Sequence, residues 1–109
     1  YGGAVSVPIV IRSVIGRSWG QGAQHSQGLH SLFMHIPGLR VVAPGSPYDA
    51  KGCLIQSIRD DNPVMFIEHR MLHAHRGHAP ADAYTVPFGQ ARVLVKGSDV
   101  TPDSRKMSE

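Results

Sequence analysis

His25 is the residue of this 109-residue chain whose type and setting best suit chemistry. It stands within Ser18 to Gly38, SWGQGAQHSQGLHSLFMHIPG, between Gln24 and the pair Ser26, Gln27, and follows Gly20 and Gly22. An unperturbed imidazole titrates near pH ~6.5, so a histidine can donate or accept a proton at neutrality. Held at the entrance of a packed helix, such a group suits an acid–base site. Spacing alone admits a plainer role, because a lone histidine between glutamines is more often a loop or capping residue. Gly20 and Gly22 are equally suited to a tight turn, since glycine tolerates positive φ. Gly-x-Gly without a third glycine is a weak phosphate signature.

A second group of imidazoles follows later: His69, His73, His75 and His78 in HRMLHAHRGH. His73-x-His75 could chelate zinc from an extended segment, but no acid or thiol stands at suitable spacing, and a solvated loop is expected. Cys53, the single cysteine, lies in a helix pattern and reads as a buried small hydrophobe rather than a nucleophile. One cysteine allows no internal disulfide framework and fits a reducing compartment.

The elements that must position His25 can be read outward from it. Leu29, Leu32, Phe33 and Ile36 recur at i, i+3, i+4 and i+7, predicting a helix with one apolar face that Pro37-Gly38 ends. Upstream, VSVPIVI at 5–11 predicts a buried strand starting at Pro8, with a loop from Arg12 to Gly22. Downstream, LRVVA at 39–43 predicts a second strand. Ser46, Pro47 and Asp49 form a helix start with a capping-box arrangement, and Ala50, Cys53, Leu54, Ser57 and Ile58 form its expected inner face. Arg59 to Pro63 closes that helix, and VMFI at 64–67 predicts a third strand. Near the end, ARVLV at 91–95 predicts a last strand, and the polar stretch 101–109 is expected to fray.

Strand, helix, strand, helix, strand in short alternation predicts an α/β, doubly wound parallel sheet with right-handed crossovers. Ligands gather at the carboxyl ends of strands in such sheets. The loop holding His25 follows the first strand, so topology and chemistry agree.

Composition narrows the function classes. A chain of 109 residues is one domain at most, and 41% hydrophobic with 17% charged residues is ordinary for a globular fold. The apolar runs fall short of the roughly 20 residues a membrane helix needs, and the start, YGGA, lacks the features of a signal peptide. The net charge of +3 is scattered, with few aromatics, so neither a nucleic-acid nor a membrane partner is expected.

Taken together, VPIVIR, GQGAQHSQ, HIPGLRVVAP, SPYDAKG, IRDDNPVMFIEH and YTVPFGQARVL resemble one family in order and spacing. They look like the beta subunit of the thiamine-diphosphate-dependent 2-oxo acid dehydrogenases, the decarboxylating component of the pyruvate and branched-chain complexes. The resemblance covers the transketolase-like pyrimidine-binding domain, with residues 1–100 as a partial domain and 101–109 as a non-matching polar tail.

The resemblance implies oxidative decarboxylation of a 2-oxo acid, with acyl transfer to lipoamide. Thiamine diphosphate would lie between this domain and an alpha subunit that holds its diphosphate and magnesium. A lipoyl-bearing acyltransferase is the further implied partner. His25 in AQHSQ matches the family's active-site histidine, which handles protons during reductive acylation of the lipoyl group. A structural potassium ion is implied at backbone carbonyls of Ile9, Ser57, Ile58, Asp60 and Asn62; spacing alone reads the same residues as a helix stop and turn. Hard cations prefer such oxygen ligands. The glutamate that activates the aminopyrimidine belongs to a preceding segment and has no match here, and no residue of this chain is assigned to the cofactor. The chain is therefore expected to be inactive alone. The implied compartment is the cytoplasm, or the mitochondrial matrix in a eukaryote. A different class of function stays open: a non-catalytic α/β module that pairs with itself or with a complementary chain through exposed strand edges.

Overall fold

The computed structural model describes residues 2–17, 20–98 and 103–104. Its centre is a parallel three-stranded sheet built from β1 (Val10–Ile15), β2 (Arg40–Val42) and β3 (Val64–His69), in the order β1-β3-β2. Helix α1 (His30–Met34) joins β1 to β2, and α2 (Pro47–Ile58) joins β2 to β3. The chain thus steps from β1 out to β2 and returns to the middle, placing VMFI on the strand with neighbours on both sides.

Side chains of a strand alternate between faces, and the core divides accordingly. Val64 and Phe66 of β3 join Val42 and Cys53, with Tyr48 and Leu54 of α2 packed against them. Met65 and Ile67 turn the other way, joining Val41 and Ile15, with Phe33 of α1 and Leu39 alongside. Each helix covers its own face of one sheet. This is the doubly wound arrangement the alternation predicted, and it explains why β3 carries an unbroken apolar run over 64–67, buried throughout.

Helix α2 starts as its sequence predicts. The Ser46 hydroxyl accepts from the Asp49 amide at 3.1 Å and donates to the Asp49 carboxylate at 3.0 Å, with Pro47 as the first helical residue. Cys53 and Ser57 are each 1% exposed, and the Ser57 hydroxyl donates to the Cys53 carbonyl at 2.7 Å. Ile58 departs from the expected inner face: it is 65% exposed at the helix's last position.

The first strand is displaced relative to its sequence reading. It runs over Val10–Ile15 rather than up to Ile11, and Val5 and Val7 lie outside it, exposed. Two causes are visible. The Ile9 amide turns back onto the Val7 carbonyl at 2.8 Å, so pairing begins only when the Val64 amide reaches the Ile9 carbonyl. Farther on, Arg12 has a partner in Glu68 of β3, with N–O distances of 3.0 and 2.6 Å, so a charged residue continues the strand.

Helix α1 is shorter than its periodicity predicts. Its N-cap is Leu29, which offers no side-chain acceptor, and of the expected apolar face only Phe33 packs; Leu29, Leu32 and Ile36 are exposed. The expected strand over 91–95 contracts to β4 (Arg92–Val93), which pairs antiparallel with β5 (Asp103–Ser104). Asp103 and Ser104 are thus paired where the sequence predicts fraying; the rest of 101–109 lies outside the described residues, as do Ser18 and Trp19 at the start of the histidine loop.

One element had no periodicity or capping signal in the sequence. Residues 79–88 run as a strap across α2 without regular structure. The Val86 amide donates to the Gly52 carbonyl at 3.1 Å, Val86 joins the core, and the Lys51 ammonium reaches the carbonyls of Pro80 and Ala81. A Cβ on Gly52 would stand 2.4 Å from Val86 Cγ2 and 2.7 Å from Tyr84 Cε2, so helix and strap meet where a side chain is missing. None of the helices among the described residues is long and apolar enough to cross a membrane.

Candidate active site

His25 closes a short 3-10 turn, Ala23–His25, entered from Gly22 at φ 68°. Gly20 shares that positive φ, at 69°, which is the backbone role expected of both residues. The loop leaves β1 through Gly16, also at positive φ (82°), where a Cβ would fall 2.2 Å from His69 Nε2. The Gly16 amide donates to the Gln27 carbonyl at 3.3 Å, tying the two ends of the loop together. His25 itself is exposed.

The turn is not held by its own loop alone. Arg70, the first residue after β3, donates through Nη1 to the Gln21 side-chain oxygen and through Nη2 to the His25 carbonyl at 3.4 Å. His25 and Arg70 border a cavity of about 240 Å³ between the loop and the α1 face of the sheet, with Ser13, Ile15, Gln27, Phe33 and Ile67 also in its wall. The histidine thus stands where the carboxyl ends of two adjacent parallel strands, β1 and β3, open onto a crevice, as expected for ligand sites in wound sheets. An exposed imidazole over a cavity can exchange protons with a bound group and with solvent. None of the described residues in that wall is a carboxylate.

A second cavity, of about 410 Å³, opens on the α2 face beside the start of that helix. Arg12, Ser46, Glu68, His69, His73 and His75 contribute to it. Glu68, with 17% side-chain exposure, is its pivot: it binds the Arg12 guanidinium at 2.6 Å and stands 3.6 Å from His73 Nε2. The later histidines therefore do not gather on one another. His73, His75 and His78 are exposed, and among the described residues no three potential metal ligands of the His, Cys, Asp and Glu type converge.

The five residues implied for potassium lie around the end of α2. The Val7 amide donates to the Asp61 carbonyl at 3.0 Å and the Val64 amide to the Ile9 carbonyl at 2.8 Å, bringing the Ile9 segment beside the 57–62 turn. The Asp60 amide donates to the Ser57 carbonyl at 3.3 Å. Asp60 Oδ1 accepts from the Asn62 amide at 2.8 Å and from its side chain at 2.7 Å, while Oδ2 faces Arg40 Nε at 3.3 Å. Burial acts most strongly on the Asp60 carboxyl and would raise its pKa, but the two Asn62 bonds and the Arg40 charge together outweigh it and hold the pKa below the usual range. A carbonyl oxygen has two lone pairs, so these bonds leave capacity for a cation.

Sequence reasoning did not single out Arg70 or the Arg12–Glu68 pair. The available signal was position: polar residues directly at the carboxyl end of an apolar strand, where wound sheets place their sites.

A parallel, doubly wound sheet with a histidine turn at its carboxyl edge defines an α/β domain of the class that takes ligands at that edge. The chain matches the transketolase pyrimidine-binding domain family over residues 2–75 and belongs to it. Among curated relatives, it is 50% identical over 101 residues to the beta subunit of acetoin:2,6-dichlorophenolindophenol oxidoreductase of Cupriavidus necator, covering 93% of this chain and 30% of that protein. It is 46% identical over 101 residues to the beta subunit of the same name from Bacillus subtilis, with the same coverage. It is 48% identical over 100 residues to the pyruvate dehydrogenase E1 component subunit beta of Rickettsia conorii, covering 92% of this chain and 31% of that protein. The chain thus spans about three-tenths of the length of these relatives.

Proposed function

We propose that this chain is the part of a beta subunit of a thiamine-diphosphate-dependent 2-oxo acid dehydrogenase that presents the proton-handling histidine to an acyl-transfer site shared with an alpha subunit. One observation carries the reading: His25 of AQHSQ is exposed on a turn at the carboxyl edge of the sheet, fastened there from β3. The turn orients the imidazole, and the cavity wall of Phe33, Ile15 and Ile67 supplies an apolar floor beneath it. Bound thiamine diphosphate would supply the carbon nucleophile, its magnesium end on the alpha subunit, and a lipoyl-bearing acyltransferase would receive the acyl group. Backbone carbonyls at Ile9, Ser57, Ile58, Asp60 and Asn62 would hold a structural potassium ion that braces the turn after α2.

Alone, the chain is expected to be inactive, since no residue of it matches the glutamate that activates the aminopyrimidine in the family it resembles. Calorimetric titration of thiamine diphosphate and magnesium tests this, with and without a candidate alpha subunit. Saturable heat only with the partner is expected; cofactor-dependent decarboxylation by the purified chain overturns the inactivity. With the partner present, His25→Ala is expected to lower lipoyl acylation about 10²- to 10⁴-fold, and unchanged acylation removes the assigned role. Acetoin carries no carboxylate, so offering acetoin and pyruvate side by side separates carbon–carbon cleavage without loss of CO₂ from decarboxylation.

A second reading, a self-pairing module without catalysis, is favoured by β1, which is an edge strand with Ile11 and Val14 exposed. Sedimentation over a concentration series tests it, and strictly monomeric behaviour counts against it.

A further inference from the structure

We propose that Arg70 is a positioning residue for His25, holding the histidine turn to the end of β3. The inference rests on the reading of His25 as the working histidine, and it adds the residue that sets where that histidine stands. The geometry has three parts. Arg70 follows β3 directly, and β3 is the central strand of the sheet, with its apolar run buried on both faces. Its guanidinium reaches across to the loop after β1 and engages Gln21, just ahead of the 3-10 turn's N-cap, and the carbonyl of His25, the turn's last residue. Among the described residues the turn's own ties are few: Gly22 offers no side-chain cap, and one backbone bond closes it, from the Ser26 amide to the Ala23 carbonyl at 3.4 Å, the same length as the Arg70–His25 bond.

A planar guanidinium suits this work because its donors are fixed relative to one another, so two bonds determine both distance and orientation. Bonds from a charged donor are also stronger than neutral ones. Arg70 Nε is buried without an acceptor among the described residues. Among the described residues the group's hydrogen bonds are the two to the loop, and both act on the segment that carries the imidazole. The loop and the strand end are thereby coupled: displacing Arg70 displaces His25.

Backbone NMR relaxation on the full 109-residue chain tests this without requiring activity. In Arg70→Met, order parameters over 21–26 are expected to fall from near ~0.85 to below about 0.6, while those of β1 and β3 stay unchanged. Arg70→Lys, which keeps charged donors, is expected to restore part of the order. Should Arg70→Met fail to fold, Gln21→Leu removes one of the two anchors from an exposed loop and is expected to loosen the same residues. Unchanged order parameters over 21–26 in the folded variants overturn the proposal. In the assembled complex, Arg70→Met is expected to lower kcat for lipoyl acylation by at least about tenfold with KM little changed, the pattern of a displaced proton-transfer group. A loosened turn with full acylation would overturn the role given to His25 and leave the Arg70 anchor standing.

Discussion

Tyr84 stacks on Tyr48 with ring centroids 4.5 Å apart, and its hydroxyl donates to the Tyr48 carbonyl at 2.8 Å. The pair clasps the 79–88 strap to the first turn of α2, just above Gly52. Burial raises the pKa of the Tyr84 phenol, and Tyr48, Asp49 and Cys53 add to the shift. The clasp is therefore complete at neutral pH and up to the ordinary tyrosine range near 10. It weakens only as pH rises through the higher folded value. Tyr84→Phe is expected to lower the melting temperature at pH 7, with the deficit shrinking at strongly alkaline pH; an equal deficit across the range refutes the phenol's part.

Gly52→Ala sets two effects against each other. Alanine in a helix interior gains about 1 kcal/mol over glycine, but a Cβ at 2.4 Å from Val86 Cγ2 forces the strap outward, and overpacking costs about 1–3 kcal/mol. The second effect is expected to be larger, because Val86 is buried and its β-branched side chain is restricted at χ1. Urea unfolding is expected to show net destabilisation, with faster proteolysis in 79–88 than in α2.

Ser46→Ala removes the acceptor for the Asp49 amide and the donor to its carboxylate. The expected loss is about 1 kcal/mol, the usual cost of an N-cap. Chemical denaturation is the measurement. Ser46→Asp, which restores an acceptor but sets a second carboxylate beside Asp49, is expected to recover less than Ser46→Asn.

Asp60 makes stability depend on pH at the acid end. Its pKa is lowered in the folded chain, so its contribution is present above the unfolded aspartate value near 3.9 and is lost as pH falls through the lower folded value. Asp60→Asn is expected to be less stable than the parent chain at pH 7, with the gap narrowing below about pH 4. A gap that does not change with pH shows that the carboxylate charge contributes nothing.

Potassium should act at the same turn. Melting in potassium chloride is expected to exceed melting in sodium chloride at equal ionic strength, through binding to the folded state. Equal melting temperatures in the two salts remove the proposed carbonyl site.

Local chemistry made much of the chain legible in its sequence. Ser46-Pro47-x-Asp49 announced α2 because a cap, a fixed φ and a favourable first-turn charge act within four residues. VMFI announced the central strand because burial on both faces requires an unbroken apolar run. Gly20 and Gly22 announced a turn, and the resemblance carried by AQHSQ drew attention to His25. What the sequence could not decide depended on partners far along the chain. Arg12 reads as the start of a loop until Glu68, 56 residues away, supplies its counter-charge and extends β1. The helical spacing of Leu29, Leu32, Phe33 and Ile36 predicts a buried face, yet burial requires a neighbour, and among the described residues Phe33 is the one packed into the core while the other three are exposed. The strap over Gly52 and the reach of Arg70 to His25 belong to tertiary structure alone, because neither has a period, a cap or a turn to mark it; each exists only once the sheet has set distant segments side by side.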